Sequence, residues 1–247
     1  MLAAVALAAA PAQAATVTGS LDDVSATLSW TQPEEYGSAT DVRLSITKGG
    51  VTSTPAFPCE FCMLRDDPST VAVVDFDRES GPEVLVESYS GGAHCCWTGL
   101  LYYYDGEAWK RLDVETGNQG YQTMDLDSDG RTEIVTRDDR FAGAFTAYAA
   151  SAAPVKVLQF EFGTLRDLTR ERKAYLRQDA RRLRKELRSF KRGVDRRGFL
   201  AAYVAEEYLL GEGAAGRREL DRNQREKRIT RGFRRLLLKR LHAWGYR

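Results

Sequence analysis

The sequence predicts an α+β protein: an N-terminal antiparallel β part of four-stranded, blade-like units that do not close a ring, followed by a basic α-helical domain. Three observations predict it. A nine-residue acidic loop occurs twice, fifty positions apart, and each copy runs into a β-branched stretch. Residues 16–164 read as short strands separated by turn residues, whereas apolar residues recur at helical spacing from Leu165 onward. The charge divides at the same place. Residues 1–165 hold 10 Lys and Arg against 24 Asp and Glu, a balance of −14, and residues 166–247 hold 26 against 11, a balance of +15, although the chain of 247 residues carries only +1 overall.

The first fourteen residues, MLAAVALAAAPAQA, are small and apolar and end in Ala12-Gln13-Ala14. That is the pattern of a signal-peptide apolar region and cleavage site, without the usual basic residues before it. The run is too short to span a bilayer, which needs about 20 residues. The expectation is a signal peptide over 1–14, a β domain over 15–164, a helical domain over 165–247, and a mature protein that is secreted or extracytoplasmic.

The strands follow in order. Val24–Trp30 alternates imperfectly and ends before Pro33. Asp41–Thr47 alternates cleanly, with Val42, Leu44 and Ile46 on one face and Arg43, Ser45 and Thr47 on the other, and stops at Gly49-Gly50. Val71–Val74, Val84–Ser88, Leu100–Tyr104, Trp109–Leu112, Tyr121–Met124, Ile134–Thr136, Phe145–Tyr148 and Val155–Phe160 come next, with Asp105-Gly106 as a hairpin turn. Residues 71–112 and 121–160 share one order: strand, acidic loop, strand, Gly/Ala-rich turn, aromatic strand, short turn, strand. Each is the size of a propeller blade, and a degenerate third unit is expected over 16–54. A closed propeller takes at least about four blades, so an open array is predicted.

The two loops are Asp75-Phe-Asp77-Arg-Glu79-Ser80-Gly81-Pro82-Glu83 and Asp125-Leu-Asp127-Ser-Asp129-Gly130-Arg131-Thr132-Glu133. Both place acids at positions 1, 3, 5 and 9. Carboxylates crowded so closely repel unless a cation sits among them, and an Asp-x-Asp-x-Asp-Gly turn aims them at one point, with glycine permitting the sharp bend. The alternative is an acidic Asx turn without an ion. The loops resemble the calcium loops of FG-GAP and VCBS repeats, the blades of integrin-α-type propellers, over about residues 71–160. The resemblance implies calcium held by Asp125, Asp127, Asp129 and Glu133 with the Arg131 carbonyl, and by Asp75, Asp77, Glu79 and Glu83. The first loop departs from the pattern, with Ser80 where glycine is expected and Gly81 one place late.

Four cysteines, Cys59, Cys62, Cys95 and Cys96, form an even set, which in an exported protein favours disulfides. Crossed pairs from Cys59/Cys62 to Cys95/Cys96 are expected first, and a Cys59–Cys62 bridge with a Cys95–Cys96 ring second. A zinc site of Cys59, Cys62, His94 and Cys95 or Cys96 has suitable ligand types and is the alternative. The string Gly91-Gly92-Ala93-His94-Cys95-Cys96, with Asp139–Ser151 and Ala201-Ala202-Tyr203-Val204-Ala205, resembles a group of exported bacterial proteins of unknown function that join an FG-GAP-like β part to a helical C-terminus. The resemblance implies a fold and a compartment and brings no reaction.

In the C-terminal part Leu176, Ala180, Leu183, Leu187 and Phe190 form a helical seam that ends at Gly193. Asp195 is the expected N-cap of a helix over 198–210. Further helices are expected over 214–228 and 230–244, the last with Phe233, Leu237, Leu241 and Trp244 on one side. The basic surface suits an anionic cell-surface polymer or membrane surface, or pairing within the chain. Sequence-specific nucleic-acid binding has no motif to support it. No Gly-x-Ser-x-Gly or His-Glu-x-x-His occurs. The expected function is therefore a calcium-binding, non-enzymatic binding or surface-associated module. The rivals are a secreted hydrolase using the acidic loops and a polymer-binding protein acting through the tail.

Overall fold

Alternation of apolar and polar residues builds three successive antiparallel meanders. The computed structural model describes residues 13–32, 37–79, 81–92, 95–191 and 193–247. The first sheet runs β1 (Gln13–Leu21), β2 (Val24–Gln32), β3 (Thr40–Lys48) and β4 (Val51–Ser53), paired in chain order. The second is β5 (Val71–Val74), β6 (Glu83–Gly92), β7 (Cys95–Tyr104) and β8 (Trp109–Gly117). The third is β9 (Gln122–Met124), β10 (Glu133–Arg137), β11 (Val155–Glu161) and β12 (Thr164–Asp167). Four helices follow: α1 (Lys173–Ser189), α2 (Arg197–Leu209), α3 (Gly213–Arg225) and α4 (Arg231–Ala243). The predicted α+β class holds, with three four-stranded sheets, none closed into a barrel. The unit expected to be degenerate over 16–54 is a complete four-stranded sheet. Residues 1–12 lie outside the described set. Gln13 and Ala14 pair with Gln32 and Thr31, so a cut after Ala14 would trim the end of β1.

The chain forms two compact units, 1–117 and 118–247. In the first, Val24, Ala26, Leu28 and Trp30 of β2 and Leu44 and Ile46 of β3 share a core with Val71, Val84, Val86, Leu100 and Tyr102 of the second sheet. Period-2 burial on β2 and β3 is what the sequence pattern requires of sheets with one buried face. In the second unit, Val135, Val155 and Val157 meet the α1 seam of Leu176, Ala180, Leu183 and Leu187 together with Leu200–Ala205 of α2. The break in composition near residue 165 is therefore not where the compact units part: the third sheet buries its apolar face against the helices.

Two local expectations are corrected. Phe145–Tyr148 is not a strand. Short 3-10 turns occupy Asp139–Phe141 and Tyr148–Ala150, and Phe141 and Phe145 insert into an aromatic cluster with Phe233, Trp244 and Tyr246. Burying both rings among the helices outweighs the strand tendency of the segment. Helix α2 begins at Arg197, one residue earlier than expected. Asp195 is not its N-cap residue but accepts the Arg197 N–H at 3.0 Å. Thr230 caps α4, accepting the Phe233 N–H at 3.1 Å.

A buried acid pair joins sheet to helices. Asp179 of α1 accepts two hydrogen bonds from Arg137 at the end of β10, both 3.0 Å, and one from Arg182 Nε at 2.6 Å. Burial alone would raise Asp179, but these guanidinium bonds outweigh it and hold the carboxyl well below the usual range. Glu206 of α2 is fully buried and accepts the Val155 N–H of β11 at 3.0 Å. Burial, then hydrogen bonding and charge from Asp179, push its carboxyl far above the ordinary 4.5. Glu206 is thus held as a neutral acid. The folded form keeps a proton that the unfolded form releases above about pH 4.5, so this group's contribution is complete below that pH and declines as pH rises. Asp179 acts in the opposite sense and loses its contribution as pH falls below 3.8. Urea unfolding at pH 5 to 8 is expected to show wild type losing up to about 1.4 kcal/mol per pH unit relative to Glu206→Gln, which keeps the Val155 hydrogen bond without titrating. Parallel profiles would show that Glu206 is ionised in the fold.

Candidate metal centre

Both acidic loops join the first two strands of a sheet, β5 to β6 and β9 to β10, and their local geometry repeats. The fourth residue is left-handed in each, Arg78 at φ 62° and Ser128 at φ 61°. The closing glutamate turns back under the loop: Glu83 Oε2 accepts the Phe76 N–H and Glu133 Oε2 the Leu126 N–H, each at 2.9 Å. Both glutamates are buried, at 1% and 0% exposure. Asp75 accepts the Arg78 N–H at 2.7 Å and Asp125 the Gly130 N–H at 2.9 Å. Gly130 bends at φ 86°, and Gly81, one place later in its loop, at φ 80°. These are conformations that side-chain-bearing residues resist. Ser80 lies outside the described residues.

The result is two convergent carboxylate groups. Asp75, Asp77 and Glu83 bring ligand oxygens within 4.8 Å of one another, and so do Asp125, Asp127 and Glu133. Three of the four acids in each loop are gathered. The position-5 acids, Glu79 and Asp129, stand outside these sets; Asp129 Oδ1 instead accepts the Arg131 N–H at 2.8 Å. An all-oxygen donor set of this kind matches hard divalent cations and is a poor match for zinc.

One residue at the second loop escaped the sequence reading. Arg172, the residue before α1, donates from Nε to Glu133 Oε1 at 2.6 Å and places Nη1 2.9 Å from Asp127 Oδ2. Its side chain is 14% exposed. A buried carboxylate requires a counter-charge, and here a guanidinium of the same chain provides one. In the sequence Arg172 is one of many basic residues in the tail, 39 positions from its partner, and nothing local singles it out.

The cysteines are resolved differently from the first expectation. Cys59 bonds to Cys62, with Cα atoms 5.3 Å apart, so the crossed pairing to Cys95 and Cys96 does not form. Neighbours three apart reach each other within a single turn. Cys96 is also disulfide-bonded. The zinc site is likewise corrected, because the Cys59 and Cys62 thiols are consumed in the bridge. His94 lies outside the described residues. The bridge stabilises the segment before β5, where Cys62 O accepts the Ala39 N–H at 2.8 Å and Met63 pairs with Tyr89 of β6.

Residues 176–234 match the family model described as the sll0997 C-terminal domain, a stretch that runs from α1 into α4. The chain is 35% identical over 147 residues to a probable thylakoid lumen protein, sll0997, of Synechocystis sp., covering 57% of this chain and 43% of that protein. It is 30% identical over 151 residues to the uncharacterized protein y4bJ of Sinorhizobium fredii, covering 58% of this chain and 23% of that protein. The chain thus spans less than half the length of these curated relatives. No solved structure matches it. No helix among the described residues is long and apolar enough to cross a membrane.

Replacing Arg172 with alanine leaves Glu133 buried without its guanidinium. In the presence of chelator this is expected to lower stability by about 3 kcal/mol in urea unfolding, with Arg172→Lys falling between. An unchanged midpoint would show that the pair contributes nothing to the fold.

Proposed function

We propose that the chain is an exported calcium-binding protein whose role is non-enzymatic: a binding or surface-associated module with ions holding its strands. The observation that carries this reading is the repeated loop geometry. Two segments fifty residues apart, with different residues at positions 2, 4, 5, 6, 7 and 8, converge two aspartates on a buried glutamate in the same way. Calcium takes six to eight oxygens, so Asp75, Asp77 and Glu83, and Asp125, Asp127 and Glu133, would each supply about half a shell. Glu79, Asp129, backbone carbonyls such as that of Arg131, and water would complete it, as the resemblance to FG-GAP and VCBS loops implies. The name of one relative, a probable thylakoid lumen protein, supports a compartment outside the cytoplasm.

The rival hydrolase is less well supported. Asp75, Asp77, Glu83, Asp125 and Glu133 accept N–H bonds from their own turns, and Asp127 and Glu133 meet Arg172. These carboxylates close a turn.

In the second loop calcium competes with Arg172 for Asp127 and Glu133. Titration calorimetry with calcium chloride is expected to show binding. At a hundredfold excess over Kd the ion should add about 2.7 kcal/mol of stability. Glu83→Gln and Glu133→Gln should each remove one site, and Arg172→Ala should tighten the second site by about tenfold, since one competing ion pair of about 1.4 kcal/mol is gone. Absence of heat, together with a melting temperature indifferent to chelator, would eliminate calcium from both loops.

A further inference from the structure

Helices α1 and α3 carry arginines at the same spacing. Arg177, Arg181 and Arg184 lie at intervals of four and three on α1, and Arg218, Arg222 and Arg225 repeat those intervals on α3. That spacing puts each trio on one helix face. The two faces line a groove whose floor is Tyr203 and Glu207 of α2, formed by adjoining cavities of about 420 Å³ and 220 Å³ that share Arg184, Tyr203, Glu207 and Glu212.

The charges in this groove do not balance. Glu219 is held by Arg222, and Glu212 lies 3.9 Å from Arg177. Glu207 is buried at 6% exposure and is pushed up in pKa chiefly by burial, with the Tyr203 hydrogen bond and the charges of Arg184 and Arg218 opposing the rise. Arg181, Arg184, Arg218 and Arg225 form no direct ion pair among the described residues, although Arg184 and Arg218 lie near enough to Glu207 to act on its carboxyl. Six guanidiniums line the groove against three carboxylates, Glu207, Glu212 and Glu219, and this excess of positive charge favours the entry of an anion. Guanidinium forks match phosphate oxygens in pairs, and phosphate carries more charge per volume than carboxylate, which suits four cations in one groove.

We propose that the α1–α3 groove is a binding site for a ligand bearing two or more linked phosphate groups, gripped by Arg184 and Arg218 across its width and by Arg181 and Arg225 toward its ends. The site lies inside the stretch matched by the family model and does not depend on the acidic loops or on calcium.

The test is calorimetric titration of the full chain with sodium tripolyphosphate at low salt, in chelator, with inorganic phosphate and vesicles of phosphatidylcholine with phosphatidylglycerol as further arms. Tripolyphosphate should bind. Joint substitution Arg184→Gln and Arg218→Gln should weaken it at least about tenfold, the loss expected for one charge-assisted contact or more. The control pair Arg188→Gln and Arg235→Gln, exposed elsewhere on α1 and α4, should change it less than about twofold. Arg225→Gln alone should weaken binding severalfold and gives a second readout if the double variant does not fold. Competition of vesicle binding by tripolyphosphate would assign the phosphates to lipid headgroups in the same groove. No binding of tripolyphosphate, equal weakening by both pairs, or binding confined to vesicles and insensitive to the groove pair would overturn the proposal.

Discussion

The second unit depends on how strand β10 is tied to helix α1. Glu133 opens the strand and is bound by Arg172, just before the helix; Arg137 closes the strand and binds Asp179, inside it. The two pairs have opposite polarity. Four residues of strand cover about 13 Å and seven residues of helix about 10 Å, so both pairs close only in one register. Sliding the helix by a turn would bring Arg172 toward Arg137 or Asp179 toward Glu133, and like charges in a buried setting are costly. The apolar seam of α1 supplies the larger share of the burial, but apolar contact is non-directional and tolerates slippage. The ion pairs supply the direction. They also couple the acidic loop to the helical region, since the guanidinium that neutralises Glu133 belongs to the residue from which α1 departs.

Much of this architecture was legible because it rests on periodicity. Val42, Leu44 and Ile46 announce β3, and the spacing of Leu176, Ala180, Leu183 and Leu187 announces α1; in both, one buried face dictates the pattern. The acidic loops were legible because their chemistry is local, with residues 1, 3 and 9 of one turn meeting one another. What the sequence did not reveal is non-local. Phe145 reads as a strand residue and Phe141 as part of a turn until aromatic partners in and just after the last helix claim them. Arg172 reads as one more cation of a basic tail. The cysteine pairing was open among alternatives, and the local Cys59–Cys62 link formed. The unit boundary near residue 117 leaves no mark in composition, because the third sheet keeps β composition while sharing its core with helices.

The net charge of +15 in the last third of the chain separates into two populations. Some arginines are structural: Arg172 and Arg182 neutralise buried or half-buried acids, while Arg170 and Arg196 donate to carbonyls at the ends of helices or in the turns that follow them. Removing these would disturb the fold before any partner was involved. Others, such as Arg181, Arg184, Arg218 and Arg225 at the groove between α1 and α3, form no direct ion pair among the described residues. A basic composition alone does not distinguish them, whereas burial and partners do.

Every sheet is a meander in which each strand pairs only with its neighbours in sequence. Such connectivity closes short loops first and asks nothing of residues still to come. A chain threaded end-first through a narrow channel could therefore complete one sheet after another as it emerges, keeping few unpaired edges exposed to aggregation. The helices, last to appear, would then find the third sheet already formed as the surface on which to settle.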